Sequence, residues 1–212
     1  RLSSLVTGHL IDNEFYHATL NDLTQSLDTL ILSEVMRPED FDFSGIWASR
    51  LCVLKLSIVR AHPLHRPVEF VARLPAHLVD LTLTFPVSRE APSEILTVLP
   101  PKLRACQLKG VQRPTNDTLQ RLTARHLNKL YIGSSVLRRT SALTPPGTAP
   151  EPENRISAEA LLSLPRSLTE LTLSTPVEPQ LEAGLRQLMA PHFPYLSSAF
   201  INRKRVVVAM AE

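Results

Sequence analysis

The sequence predicts an α/β fold in which a curved parallel β-sheet forms one side of a repetitive solenoid and short helices form the other side. Three observations support this prediction. A leucine pattern occurs eight times along the 212 residues, at intervals of about 25 residues. Within each copy, apolar and mostly polar residues alternate, which is the period of a strand buried on one face. Between the copies, helix-start signals indicate short helices.

Two copies of the pattern are nearly identical. Residues 164–177 (LPRSLTELTLSTPV) match residues 74–87 (LPAHLVDLTLTFPV) at eight of fourteen positions. The reduced pattern is Leu-x-x-Leu-x-Leu with tolerated substitutions, and its first positions are Leu2, Leu27, Leu51, Leu78, Leu103, Leu127, Leu168 and Leu196. One strand per repeat cannot bury its own apolar face, whereas stacked neighbours can. The repetition therefore predicts a solenoid.

The repeated motif resembles the leucine-rich repeat superfamily, and the resemblance covers essentially the whole chain. It implies a single domain over residues 1–212, with about eight repeats, a curved parallel sheet on the concave face and short helices on the convex face. Many members place an Asn three residues beyond the third Leu. That place is taken here by Val35, Val59, Pro86, Val111, Ser135 and Pro176. The chain therefore resembles an atypical subclass without the Asn ladder, in which apolar packing and Pro turns replace the Asn.

Proline, serine and threonine residues indicate where the helices begin. Pro38 precedes two acidic residues, which stabilise the first turn of a helix because of the helix dipole. Thr115 and Ser157 are favourable N-cap residues. The predicted helices are residues 38–49, 67–74 and 93–99, a helix capped by Thr115 that contains Leu119 and Leu122, a helix capped by Ser157, and residues 179–189.

One interval between copies is 41 residues long, which locates an insertion. Residues 138–155 contain four prolines, which exclude a helix or an inner strand, so we expect a protruding loop. Residues 202–212 are expected to form a C-terminal cap over the last open edge of the sheet. The chain begins with Arg1, and no comparable cap precedes Leu2. We therefore expect the N-terminus to be truncated.

No catalytic site can be assembled from the sequence. The six glycines occur singly rather than in a phosphate-binding loop, and no Cys or His residues have the spacing of a metal site. Cys106 occupies a core position of its repeat, so we expect it to be buried and unreactive. Cys52 lies two repeats away, at about 10 Å, which is too far for a disulfide. We therefore predict a protein that is not an enzyme, with no cofactor and no metal.

Membrane and secretion signals are missing from the sequence. No apolar run approaches the length of about 20 residues that a membrane span needs, and no signal-peptide pattern opens the chain. The two cysteines do not suggest a disulfide framework. We therefore expect an intracellular protein, cytoplasmic or nuclear, without a membrane span. The oligomeric state stays open.

Charge is distributed unevenly along the chain. Residues 1–50 contain three basic and eight acidic groups, whereas residues 100–140 contain nine basic groups and one acidic group. Because sequence segments are spatial segments in a solenoid, residues 100–140 are predicted to form a basic sector. Such a sector attracts an acidic protein, a phosphate backbone or an anionic membrane. The candidate contacts of this sector are Lys102, Arg104, Arg113, Arg138 and Arg139.

The exposed concave face, which we call the open face, is built from the residues that flank the second and third apolar positions of each motif. Its middle row is Val6, Ile31, Lys55, Thr82, Gln107, Tyr131, Thr172 and Phe200. Exposed aromatic residues beside Lys or Arg are common binding anchors. The candidate partner-binding residues are Lys55, Gln107, Lys109, Lys129 and Tyr131.

The leading functional hypothesis is a non-catalytic scaffold that binds an acidic protein partner through the open face and the basic sector. The first alternative is association with RNA or a ribonucleoprotein through residues 100–140, although the sector lacks the interleaved aromatic residues of dedicated RNA modules. The second alternative is the substrate-recognition part of a larger ligase or effector. It rests on the Leu-Pro before several strands, which is similar to the repeats of bacterial effector ligases.

Overall fold

Nine strands within the described residues form one sheet, and their order in space is their order along the chain. The computed structural model describes residues 4–7, 27–35, 44–47, 49–58, 66–86, 90–133, 155–202 and 204–206. The strands are β1 (Ser4–Thr7), β2 (Thr29–Val35), β3 (Val53–Ile58), β4 (Asp80–Thr84), β5 (Ala105–Lys109), β6 (Lys129–Gly133), β7 (Glu170–Leu173), β8 (Ser198–Ile201) and β9 (Lys204–Val206). Strands β1 to β8 are parallel, and β9 is antiparallel to β8. The predicted α/β class with a parallel sheet is confirmed.

The leucine motif determines how the strands align. The second motif positions are Cα partners across the sheet, namely Leu5, Leu30, Leu54, Leu81, Cys106, Leu130, Leu171 and Ala199. From β2 onward these residues are at most 2% exposed, as are the third-position residues. The residues between them are half-buried or exposed. One face of the sheet therefore belongs to the core, and a shift of one residue would expose all of its leucines.

Short helices cover the core side of the sheet. They are α1 (Ser44–Trp47), α2 (Pro67–Ala72), a 3-10 helix (Ser93–Val98), α3 (Asn116–Gln120), α4 (Ala158–Leu162) and α5 (Pro179–His192). Their buried side chains, such as Phe70, Leu119 and Leu161, join the strand leucines in one hydrophobic cluster. Burial of this cluster away from water is the main source of stability for such a fold.

Two helix predictions need correction. Residues 93–99 form a 3-10 helix rather than an α-helix, because Pro100 favours an extended conformation at Leu99, where ψ is 143°. The segment left between Pro92 and Leu99 is six residues long, and 3-10 geometry is used in short connecting segments of this kind rather than in long helices. Helix α5 extends beyond Met189 to His192. Buried Met189 and Phe193 are one turn apart, which stabilises this last turn.

The other helix predictions are confirmed where the structure describes them. The Thr115 side chain accepts a hydrogen bond from the Thr118 backbone N–H at 3.1 Å, and the Thr118 hydroxyl accepts one from the Thr115 backbone N–H at 2.8 Å. Ser157 caps α4 by accepting from the Ala160 backbone N–H. Helix α1 lies within the predicted helix at 38–49, of which residues 38–43 and 48 lie outside the described residues.

Turns that begin with proline lead into several strands. The Pro75 carbonyl accepts a hydrogen bond from the Leu78 backbone N–H, and equivalent bonds join Pro100 to Leu103 and Pro165 to Leu168. The fourth residue of each of these turns is the buried first leucine of a motif. Each turn is therefore anchored in the core at its end, while its two central residues point away from the core.

The segments after the strands lack the Asn ladder, as predicted. Val35, Val111 and Val177 are buried where the structure describes them, whereas Val59 and Ser135 lie outside the described residues. Backbone bonds between repeats satisfy the loop groups instead. For example, the Gly110 N–H donates to the Gly133 carbonyl at 2.8 Å, and Gly110 accepts from the Ala91 N–H at 2.9 Å.

The insertion and the C-terminal cap are only partly described. Of the predicted loop at 138–155, all residues except Arg155 lie outside the described residues. Strand β9 begins within the predicted cap, and its Lys204 pairs with Ile201 of β8. Residues 207–212 lie outside the described residues.

Candidate functional site

The open face is the side of the sheet that none of the described helices covers. Its middle row runs across the strands in register, through Ile31, Lys55, Thr82, Gln107, Tyr131, Thr172 and Phe200. The candidates Lys55, Gln107 and Tyr131 all belong to this row, and Gln107 and Tyr131 are Cα partners in adjacent strands. Most of the row is half-buried, while Phe200 is 39% exposed.

Tyr131 lies along its own strand and covers Gly133. A Cβ atom added to Gly133 would lie 2.7 Å from Tyr131 Cε1 and 2.8 Å from its hydroxyl oxygen, so only a glycine leaves room for the ring. Gly133 is in turn the Cα partner of Lys109 in β5. The tyrosine ring therefore reaches the position opposite exposed Lys109. Tyr131 and Lys109, two of the candidate binding residues, thus lie on one patch of the open face.

Lys129 differs from the other lysines of the open face because it forms an ion pair. Its Nζ atom lies 2.5 Å from Glu170 Oε1 on the neighbouring strand, and the two side chains are 57% and 51% exposed. Lys55 and Lys109 form no ion pair with another described residue. The uncompensated positive charge of the described open face therefore lies at Lys55 and Lys109 rather than at Lys129.

The described members of the predicted basic sector lie in different parts of the fold. Lys102 lies in the turn before β5, and Arg104 immediately precedes that strand, so both are exposed at the edge where the strands begin. Lys109 lies on the open face, and Arg113 follows buried Val111 beyond the strand and is half-buried. Arg138 and Arg139 lie outside the described residues. The structure thus separates Lys102 and Arg104 from the patch around Lys109.

An exposed aromatic residue at this edge was not among the candidates. Tyr195 is 69% exposed and occupies the turn before β8, immediately before the buried Leu196. The equivalent turn position holds Lys102 before β5 and His126 before β6. An alignment of the residues that precede the first leucine of each motif would have revealed these exposed turn positions from the sequence.

The described residues contain two cysteines in different environments. Cys106 is buried in the core, and burial, with a smaller contribution from the Asp80 carboxylate, raises the pKa of its thiol from 9.0 to about 12. Such a thiol stays protonated at neutral pH and is a poor nucleophile. Cys52 is half-buried before β3, and its thiol donates to the Arg50 carbonyl at 3.7 Å.

The described part of the chain also lacks a metal cluster and a membrane-spanning helix. No group of three or more His, Cys, Asp or Glu residues among the described residues could bind a metal ion. Across the same ranges, no helix is both long and apolar enough to cross a membrane.

Among known proteins, the chain has a structural similarity but no sequence match. No family model matches the chain, and no curated protein matches it in sequence. Among solved structures, the chain is similar to the leucine-rich repeat-containing protein LegL7 from Legionella pneumophila, with a TM-score of 0.49 and 13% sequence identity. The similarity covers 94% of this chain, and the chain spans 63% of the length of that protein.

Proposed function

We propose that the chain is a leucine-rich repeat solenoid that acts as a non-catalytic scaffold and binds a protein partner through its open face. In this proposal the sheet curves with its open face on the concave side, and the helices form the convex side. The binding patch consists of Lys55, Gln107, Lys109, Tyr131 and, with less free charge, Lys129.

One observation supports this proposal above the others. The open face is a continuous sheet surface on which side chains from adjacent strands align in register, with no described helix above it. Because the strands are joined by backbone hydrogen bonds and anchored by the core, these side chains are held at fixed positions before a partner arrives. Such preorganisation reduces the entropy that is lost on binding.

The chemistry of the patch suits a protein partner with acidic groups. Lys55 and Lys109 supply positive charge, and the Tyr131 ring supplies an apolar surface with a polar tip, which is typical of binding anchors. RNA association through residues 100–140 is the second candidate function. It is favoured by exposed Lys102 and Arg104, which form no ion pair with another described residue.

Two double variants test the open face. The open-face variant combines Lys55→Glu with Lys109→Glu. The helix-side control combines Arg121→Glu with Arg186→Glu, two exposed residues at the end of α3 and in α5. Both variants change the net charge by the same amount, and circular dichroism would establish that both fold.

Each protein is immobilised as the full chain and presented to an extract of its source cells, and bound proteins are quantified by mass spectrometry. A partner of the open face is retained by the wild type and by the helix-side control, and its capture by the open-face variant falls by about tenfold, as expected for loss of about 1.4 kcal/mol of binding free energy. Equal capture by all three proteins would exclude binding through Lys55 and Lys109. Capture that disappears after ribonuclease treatment would favour the RNA function instead.

A further inference from the structure

A row of cations lies along the edge where the strands begin, and we call it the turn edge. It consists of Arg50, Lys102, Arg104, Arg125 and Arg166, all of which are exposed. Only Lys102 and Arg104 belong to the candidates that the sequence suggested. The others join them because the structure aligns the segments that precede β3, β5, β6 and β7.

The backbone geometry explains why these side chains are exposed. Lys102 and Arg166 are central residues of turns that are closed by a hydrogen bond to a buried leucine, Leu103 or Leu168. Arg125 has the position of Arg166, two residues before the buried leucine, which is Leu127 here. The central residues of such a turn lie on its outer side, because the buried leucine fixes the turn against the core. These three cations therefore lie on the outer side of their turns, while Arg50 and Arg104 are exposed directly beside the buried first leucines Leu51 and Leu103.

The spacing of the turn edge is fixed by a ladder of hydrogen bonds. The Cys52 carbonyl accepts from the backbone N–H groups of both Val79 and Asp80, at 2.8 and 3.0 Å. The same pair of bonds links each later repeat to the next, with the carbonyls of Val79, Arg104, Asn128 and Thr169 as acceptors. Adjacent turns are thus about 4.8 Å apart, and the row from Arg50 to Arg166 spans about 19 Å.

The turn edge has an acidic neighbour: exposed Asp28 precedes β2, and its backbone carbonyl accepts from the Cys52 and Val53 N–H groups beside Arg50. The segments 49–52, 74–79, 100–104, 124–128, 164–169 and 193–197 contain neither Asp nor Glu. The carboxylates that follow two of these segments are Asp80 and Glu170, the first residues of β4 and β7, and Glu170 is paired with Lys129. No residue of the turn edge forms an ion pair with another described residue. The Arg125 guanidinium donates to the Ser163 carbonyl at 3.5 Å, but no described carboxylate neutralises the row. Its positive charge is therefore available to an acidic partner.

We infer that the turn edge is a second interaction surface, which binds an extended acidic segment of a protein partner running across the strands. An extended chain rises about 3.3 Å per residue, so about six residues cover the row. Aspartate and glutamate side chains on such a segment form charge-assisted hydrogen bonds with the guanidinium groups, and arginine is well suited to bidentate contacts. Four of the five cations are arginine.

A protein segment fits this surface better than RNA does. Sequence-tolerant RNA binding combines a basic groove with Phe, Tyr or Trp rings on which bases stack. The turns from Arg50 to Arg166 contain none of these three residues, and Tyr195 lies one repeat beyond the row. The surface therefore offers charge without stacking, which is sufficient for carboxylates.

This inference rests on the proposed function in one respect, namely that the partner is a protein. The two surfaces nevertheless involve different residues, so they can be tested separately. The turn-edge variant combines Lys102→Glu with Arg125→Glu. It is compared with the open-face variant and with the helix-side control, since all three double variants change the net charge equally.

The probe is a fluorescein-labelled peptide of about eight glutamates, with a glutamine peptide and an oligouridylate of similar charge as comparisons. Binding to the full chain is measured by fluorescence anisotropy at low and at physiological salt. We expect the turn-edge variant to bind the glutamate peptide about tenfold more weakly than the wild type, and the helix-side control to bind within about twofold. A milder variant, Lys102→Gln with Arg125→Gln, should lose a smaller part of the affinity, which separates charge loss from misfolding.

Several results would overturn the inference. Equal weakening by the turn-edge variant and the helix-side control would mean that net charge alone matters. Weakening by the open-face variant alone would assign the acidic segment to the open face and leave the proposed function intact. Tighter, turn-edge-dependent binding of oligouridylate would make the row a nucleic-acid surface, and no binding of the glutamate peptide at low salt would remove the row as an anion-binding surface.

Discussion

Replacement of Gly110 by alanine tests the close contact between the segments that follow β4 and β5. Gly110 has φ of 71°, in the left-handed region that residues with a Cβ atom rarely adopt. A Cβ atom there would lie 3.0 Å from the Phe85 carbonyl carbon and 3.1 Å from its Cβ, and closer still to the Phe85 carbonyl oxygen. The obstruction is largely backbone, so a change of rotamer cannot relieve it.

The cost of Gly110→Ala follows from three contributions. The left-handed conformation costs a residue with a Cβ atom about 1–2 kcal/mol. Displacement of a packed neighbour typically costs about 1–3 kcal/mol. The smaller entropy of the unfolded alanine chain offsets about 0.4–1 kcal/mol of this sum. We therefore expect the free energy of unfolding to fall by about 3 kcal/mol, within the range of about 1 to 4.6 kcal/mol that these contributions allow.

Gly184→Ala provides a matched control with the opposite sign. Gly184 lies inside α5, has no left-handed backbone, and has no atom within 4 Å of the position that a Cβ would occupy. Alanine is favoured over glycine in a helix by about 1 kcal/mol, so this variant should be more stable than the wild type. Urea titrations followed by circular dichroism, with the slope of each transition fitted, measure both changes.

The two results together decide whether the reasoning holds. A loss below about 0.5 kcal/mol for Gly110→Ala would show that the segment after β5 relaxes without strain, contrary to the contact with Phe85. A loss at both glycines would indicate a general effect of the substitution rather than local geometry.

Three further predictions concern the capping box, the buried thiol and the tyrosine of the open face. Thr115→Ala removes both reciprocal bonds with Thr118 and should lower the free energy of unfolding by about 1 kcal/mol in urea titrations. As pH rises from about 9 to about 12, the wild type should lose stability relative to Cys106→Val. The reason is that the thiol ionises in the unfolded chain, while burial raises its pKa in the folded protein from 9.0 to about 12. Guanidinium titrations at several pH values measure the free energy of unfolding of both proteins, and an equal dependence on pH would contradict this prediction. Gly133→Ala should displace the Tyr131 ring and weaken capture of an open-face partner as Tyr131→Ala does, whereas unchanged capture would separate the ring position from binding.

The strands and their register could be predicted from the sequence because burial imposes a strict pattern on them. A residue such as Leu54 or Leu81 must point into the core, and a strand shifted by one position would expose its leucines to water. The Thr115 and Ser157 caps were predictable for a similar reason, since their bonds involve residues only three positions away. Local bonds and core burial leave clear signals in a single sequence.

Contacts between repeats left weaker signals. The ion pair of Lys129 with Glu170 joins residues that are 41 positions apart, on either side of the insertion, so the charges counted along residues 100–140 do not reveal it. The 3-10 helix depends on how Pro92 and Pro100 together restrict a short segment, which periodicity alone does not reveal. The basic sector was defined along the chain, whereas the structure divides its members between an edge and a face.

The fold fixes the position of the turn edge but not the charge of its side chains. Ala76 and Pro101 occupy central turn positions as readily as the cations do, so the fold does not require positive charge there. Like charges on adjacent turns repel each other, and the row therefore destabilises the free protein slightly. Lys129 faces the next strand, and the Glu170 carboxylate of that strand neutralises its charge. No described carboxylate does so for Lys102. A charge that the fold neither needs nor compensates is best explained by a partner that compensates it.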